Sequence, residues 1–227
     1  FVRDLTDELH NELGFEVKKD EELEIKEIRD TINKLRAKNL DDDAFIKKFS
    51  DIFKENKMES ISEGTFFSSI LFISALDETN KIEIFLEKFE NAESPQMQGR
   101  YRAVLGQVRD QNASKKIVEF MLDGRIRGAD CPYILASMIT NKYIGKKSWK
   151  VIKENFNDLL SVMPDWTASR ILDALPAIYD EEFAGDIKNF IKKNPLPSSE
   201  KLAAQKLERL EANIEFMDNL KEVNNET

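Results

Sequence analysis

RIRGADCPYILASMITNKYIGKKSWKVIKENFNDLL, residues 125–160, is the stretch whose reading decides the fold. Asp130 followed by Cys131-Pro132 predicts a helix start, because an N-cap carboxylate accepts from orphan amides and proline is tolerated in the first turn. Ile134, Leu135, Met138 and Ile139 then recur at helical spacing. Gly145 interrupts, and Trp149, Ile152, Phe156 and Leu159 resume at steps of three, four and three. Two amphipathic helices with a short break between them predict an αα-hairpin. The same stretch holds Arg125, Arg127, Lys142, Lys146, Lys147 and Lys150, the densest positive charge in an acidic chain.

Downstream, Pro164-Asp165 predicts a helix through Ile171, Leu172 and Leu175, and Asp180 starts another with Phe183, Ile187, Phe190 and Ile191. Pro195-Leu196-Pro197 is a hard break, after which Ser198 or Ser199 caps a last helix carrying Ala203, Leu207, Leu210, Ile214 and Met217. The polar tail from Val223 is expected to fray. Upstream, Ala113 to Leu122 reads as a short helix ending at Gly124, and Ser94-Pro95 as a cap followed by proline in the first turn. Asp77 is the expected cap of a helix facing inward with Ile82, Phe85, Leu86 and Phe89. Gly64 to Leu76 is apolar nearly all round, which predicts a helix covered on both flanks. Asp41, Asp42 and Asp43 open a helix whose stripe is Phe45, Phe49, Ile52 and Phe53. Before it come a helix from Leu23 to Lys38 with Ile25, Ile28, Ile32 and Leu35 on one face, and a charged approach, Glu16 to Lys26, expected to be solvated. The first helix carries Val2, Leu5, Leu9 and Leu13 and closes at Gly14.

About a dozen helices with short connections, 8 Gly and 6 Pro in 227 residues, and no two-residue alternation predict an all-α chain. Helix pairs recur every ~35 residues without a consensus, so the expected architecture is an irregular αα-superhelix, a HEAT- or armadillo-like stack of antiparallel helices forming one domain over residues 1–227. A net charge of −9 argues against nucleic acid as a partner. No apolar run reaches the roughly 18 to 20 residues needed to cross a membrane. The single cysteine, Cys131, forbids an internal disulfide and fits a reducing, cytoplasmic setting. With no initiator Met and no signal-like start, the chain reads as a piece of a longer protein.

Catalytic groups are sparse. The one histidine, His10, stands in a polar run and reads as a surface residue, whereas a zinc site of the H-E-x-x-H type needs two. The acids at 41–43 lack the alternating spacing and central glycine of a calcium loop, so no metal site is expected. Cys131 lies near Arg125 and Arg127, which would lower its pKa, but without a nearby histidine it reads as a quiet structural thiol. The basic group is the positive feature: it suits a carboxylate or an acidic partner surface, against the plainer reading that the lysines face water. Arg170 is a further basic candidate at the start of a helix.

Several segments resemble the C-terminal helical domain of zinc aminopeptidases of the aminopeptidase N, puromycin-sensitive and tricorn-interacting type. RIRGADCPYIL resembles that domain's V-R-x-Q-D segment. NKYIGKKSWKVIKENFNDL resembles its G-(x)n-A-W-x-F-(x)n-N-W segment through Gly145, Trp149, Asn155 and Phe156. PLPSSEKLAAQKLERLEANIEFMDN resembles its closing segment through Gln205, Leu207, Glu208, Asn213 and Phe216. Leu13 to Phe15 resembles its LGW, and GRYRAVLGQVRD from Gly99 resembles its R-x-x-x-L-G segment. Phe15, Phe156 and Phe216 stand where tryptophan is usual and Ala129 where glutamine is, which marks a distant branch in which aromatic volume is kept.

The resemblance implies a domain that packs over a thermolysin-like catalytic domain and closes a cavity around a peptide. It implies zinc, its ligands and the glutamate base in parts of the parent outside this chain, with no catalytic residue or cofactor here. The implied partners are the parent's own catalytic domain and the peptide substrate. Arg170, with Arg127 behind it, is the position carried over as substrate-binding, and Lys142, Lys146, Lys147 and Lys150 form the accompanying basic patch. The alternative is a free-standing helical-repeat adaptor that binds protein or peptide partners on its concave face.

Overall fold

The computed structural model describes residues 1–18, 20–40, 42–55, 64–196 and 199–225, and for residues 64, 65 and 222–225 the backbone alone. Asp41, Pro197 and Ser198, named above in helix starts and breaks, lie outside the described residues. Among the described residues there are thirteen α-helices and one 3₁₀ helix, with no strand, so the fold is all-α as expected. They fall into two compact units, residues 1–113 and 114–227.

The first unit contains α1 (Val2–Leu13), α2 (Leu23–Asn39), α3 (Asp43–Lys54), α4 (Gly64–Ala75), α5 (Ile82–Glu90) and α6 (Pro95–Leu105). Helix α4 is its centre and packs on α2, α3 and α6, which is why its sequence is apolar on nearly every side. Phe45, Phe49 and Phe53 of α3 are buried, with Phe53 stacked on Phe85 at 5.0 Å between centroids. Asp42 caps α3 by accepting from the Phe45 amide at 3.0 Å, and Ser94 caps α6 by accepting from the Met97 amide at 3.2 Å.

Three expectations for this unit need correction. Leu5 and Leu9 face solvent; Thr6 is the buried residue of α1, with its hydroxyl donating to Val2 O and accepting from Arg36. On α2 the inward face is Arg29, Ile32, Asn33 and Ala37, with Leu35 exposed. Arg29 is 1% exposed and forks onto both oxygens of Glu21 while its Nε donates to Leu13 O at 3.2 Å, whereas Glu16, Lys18, Asp20, Glu22 and Glu24 of the charged approach are exposed as expected. Finally, Asp77 caps a turn and not α5: it accepts from the Thr79 amide and hydroxyl at 2.9 and 2.7 Å. The α5 amide at Ile82 is satisfied at 3.1 Å by Asp110, 28 residues downstream. Burial raises the Asp77 carboxyl, but bonds from Ser50 and Thr79 with Lys54 nearby outweigh that and hold it at about 2.

The second unit contains α7 (Ala113–Leu122) from its second residue on, α8 (Cys131–Ile139), α9 (Gly145–Glu154), α10 (Phe156–Val162), α11 (Asp165–Ala168), the 3₁₀ helix (Ser169–Ala177), α12 (Glu181–Lys193) and α13 (Glu200–Asn225). Gly124 ends α7 at φ 73°, where a side chain would be strained. Trp149, Ile152, Phe156 and Leu159 are buried as expected, although the helix breaks at Asn155. Trp149 and Phe156 both meet Phe190 edge-on at 5.2 and 5.0 Å, and Trp149 Nε1 donates to Asp186 at 3.0 Å.

Here too the sequence reading needs amendment. Asp130 accepts from Arg127 Nε at 2.8 Å and makes no side-chain bond to the start of α8. The segment after Pro164 is α-helical for only four residues before it tightens into a nine-residue 3₁₀ helix, well beyond the usual length. A three-residue period explains its burial: Ile171 and Ala174, and Leu172 and Leu175, stack in buried columns, while Arg170 and Asp173 stack in an exposed one. Pro176 has no amide to donate, and its carbonyl accepts from Asn213 Nδ2 at 2.6 Å, so α13 fixes the end of this segment. On α13, Leu210 is fully buried, Phe216 is exposed, and the helix continues to Asn225, into the stretch expected to fray. The Ser199 carbonyl accepts the Ala203 amide at 2.7 Å while its hydroxyl donates to Leu196 O.

Candidate functional site

The site grows out of the turn between α8 and α9. Asn141 Oδ1 accepts from the Tyr143 amide at 3.0 Å and its carbonyl accepts from the Gly145 amide at 2.7 Å, which folds the chain back within a few residues. A Cβ on Gly145 would lie 2.4 Å from Ile139 O, so only glycine lets α9 begin against the end of α8. This start carries Lys146 and Lys147 on the first turn, with no acidic residue there. Facing it is the link from the 3₁₀ helix to α12, with Ile178, Tyr179 and Asp180.

Between them lies an open cavity of about 500 Å³. Its apolar side comprises Ile139, Ile144, Ile178 and Phe183, and its polar rim includes Lys142, Lys146, Lys147, Tyr143, Tyr179 and Asp180. Lys146 Nζ donates to Asp180 Oδ2 at 2.6 Å, while Asp180 Oδ1 caps α12 by accepting from the Phe183 amide at 2.8 Å. The Lys146 bond, reinforced by that amide, lowers the Asp180 pKa, and the same bond raises that of Lys146. Lys142 stands 4.8 Å over the Tyr143 ring. Lys147 is exposed. The apolar side and the lysine-bearing rim, on which Asp180 already pairs with Lys146, are chemically compatible with an apolar group attached to a carboxylate.

Three of the four patch lysines thus share one cavity, and the exposed Lys150 does not line it. Neither arginine lines it. Arg127 is 76% exposed and spent on Asp130. Arg170 is 3.8 Å from Asp173 Oδ2, a loose contact, and Asp173 Oδ1 takes Lys206 at 2.7 Å. The Arg125 guanidinium carbon stands 3.5 Å from the centre of the Phe120 ring. Sequence reading missed Tyr143 and Tyr179 altogether and took Asp180 for a cap alone; the only available signal was the position of Tyr179-Asp180 just ahead of a helix.

Cys131 is buried, and burial together with the Asp130 charge pushes its thiol up to about 12, which makes it an inert structural group. His10 is half-buried against Phe45 and not a surface residue as expected. Among the described residues no group of three or more His, Cys, Asp or Glu side chains is arranged to hold a metal ion, and no helix is long and apolar enough to cross a membrane.

The family model described as ERAP1-like C-terminal domain matches residues 1–212. The chain belongs to this family. It is also 22% identical over 184 residues to aminopeptidase M1-B of Oryza sativa subsp. japonica, an alignment that covers 78% of this chain and 20% of that protein. The chain thus spans about a fifth of the length of the curated relative it matches. The family match bears out the resemblance read from residues 125–160 and, as far as residue 212, from the closing segment. Within those segments Gly145, Trp149 and Asn213 have identifiable tasks: close helix approach, interhelical packing and the end of the 3₁₀ helix.

Proposed function

We propose that this chain is the non-catalytic C-terminal domain of a zinc-dependent aminopeptidase that removes N-terminal residues from peptides in the cytoplasm. In this reading it packs on the parent's catalytic domain, closes the cavity over the active site and helps hold the peptide. The observation that carries it is the family match over residues 1–212, together with the similarity to an aminopeptidase. Zinc, its ligands and the general base would reside in the parent's other domains. The cation-rimmed cavity supports a role in peptide binding: its apolar side suits a side chain, and Lys147 suits a carboxylate. Arg170 is a second candidate contact, since its loose pairing with Asp173 leaves the guanidinium available to a stronger acceptor.

The test is made in the parent enzyme. Arg170→Ala and Lys147→Ala should each lower kcat/KM for peptides by roughly tenfold, about 1.4 kcal/mol, with a smaller effect on a single aminoacyl-coumarin amide that does not extend into the cavity. Equal kcat/KM across peptide lengths would remove both from the substrate path. Turnover of the coumarin substrate by residues 1–227 alone would overturn the non-catalytic assignment. A reading frame that starts close to Phe1 without an upstream H-E-x-x-H would support the adaptor alternative.

A further inference from the structure

The sole histidine of the chain sits in the contact that holds α1 to its unit. His10 meets the Phe45 ring edge-on at 5.5 Å. Its Nδ1 is buried without a hydrogen-bond partner among the described residues. One turn earlier, Arg36 of α2 donates to Thr6 Oγ1 at 2.9 Å and to Asp7 Oδ1 at 2.6 Å. The remaining face of α1, with Phe1, Leu5 and Leu9, is exposed, so the helix is fastened along one side only.

The charges facing His10 come from all three helices. Arg36 of α2 and Lys48 of α3 oppose an imidazolium, while Asp7 of α1 and Asp42 at the cap of α3 favour it. Its place in the last turn of α1 also favours the cation. Burial is the largest influence, and together with Arg36 it outweighs the acids, so the histidine's pKa is lowered from 6.5. A folded-state value below the unfolded one means that stability is complete above pH 6.5 and is lost as pH falls through the lower, folded value.

We propose that α1 is an acid-released clasp: protonating His10 puts a charge into the α1–α2–α3 contact, where its Nδ1 proton finds no acceptor, and loosens α1 ahead of the rest of its unit. The alternating exposure of α1 agrees with this, because the other face adds no packing to hold the helix once this side is charged.

The experiment follows the chain of residues 1–227 by NMR. With one histidine, a single imidazole C2–H resonance titrates, and its midpoint should lie below 6.5. Amide exchange in α1, corrected for the intrinsic pH dependence of the chemistry, should speed up about threefold or more between pH 7 and pH 5 while α3 and α4 stay unchanged. His10→Gln should make α1 exchange independent of pH over that range, and Arg36→Gln should move the midpoint up. An imidazole midpoint at or above 6.5, or the same acid response in the His10→Gln chain, would overturn the proposal.

Discussion

The two units make opposite use of their charges and aromatic residues. Residues 1–113 carry 17 Lys and Arg against 25 Asp and Glu, a net −8, whereas residues 114–227 carry 17 against 18, a net −1. Ten of the 15 phenylalanines lie in the first unit and both tryptophans in the second. In the acidic unit several ionic and polar groups are turned inward and tie elements together: Glu21 to Arg29, Asp110 to the start of α5, Asn80 to Ser50. In the nearly neutral unit the backbone comes close instead, at Gly128 and Gly145, and the cations stand outside around a cavity. A positive residue in a strongly acidic setting is therefore no sign of a site by itself. Arg29 is the most deeply buried cation described and serves the fold, while three exposed lysines of the balanced unit converge on a cavity.

That contrast can be broken most forcefully at Arg29. Arg29→Ala should cost about 3 kcal/mol, because it leaves Glu21 and the Leu13 carbonyl without their donor. The loss should appear in urea melts and in amide exchange of α1 and α2. Next in size, Gly145→Ala should cost about 2 kcal/mol, since the new methyl meets backbone at 2.4 Å and α8 and α9 must part. The fluorescence of Trp149 and Trp166 reports on this unit alone and should register a lower midpoint. Asp110→Ala removes a cap reached across 28 residues and should cost about 1 kcal/mol, detected as faster exchange at the start of α5. If Arg29→Ala proves neutral, the inward charges of the first unit are not ties and the comparison fails.

The acid dependence probes the inward charges by titration. Asp77, at about 2, and Glu21, lowered by its bond to Arg29, both have folded values beneath their ordinary ones. Their contribution is present above about pH 4.5 and falls away as pH drops through the folded values. Asp77→Asn should flatten the acid limb of stability between pH 4 and pH 2, as measured by circular-dichroism melts.

Much of this was legible along the chain. Ser94-Pro95, Asp42, Asp180, Gly124 and the Trp149–Leu159 stripe are local signals, each decided by neighbours within four residues, and each stands where the sequence puts it. Three of the site's lysines were legible for the same reason. The failures have a common cause. Leu5, Leu9 and Leu35 have helical spacing yet face outward, because spacing defines a face but not which face another helix covers.

Residues 164–177 make the same point about helix type. Ile171, Leu172 and Leu175 satisfy a period of 3.6 and a period of 3.0 equally, and only the exposed column of Arg170 and Asp173 distinguishes them. Sequence alone therefore determined that the chain is helical and where most helices begin and end, because caps, proline and periodicity act over a few residues; the family came from the resemblance of its segments. Tertiary structure alone decided that Asp110 caps α5, that Asn213 closes the 3₁₀ helix, that Arg29 is buried, and that Tyr143, Tyr179 and three lysines surround one cavity. Those partners stand from 8 to 37 residues apart, a separation that packing bridges and no local pattern encodes.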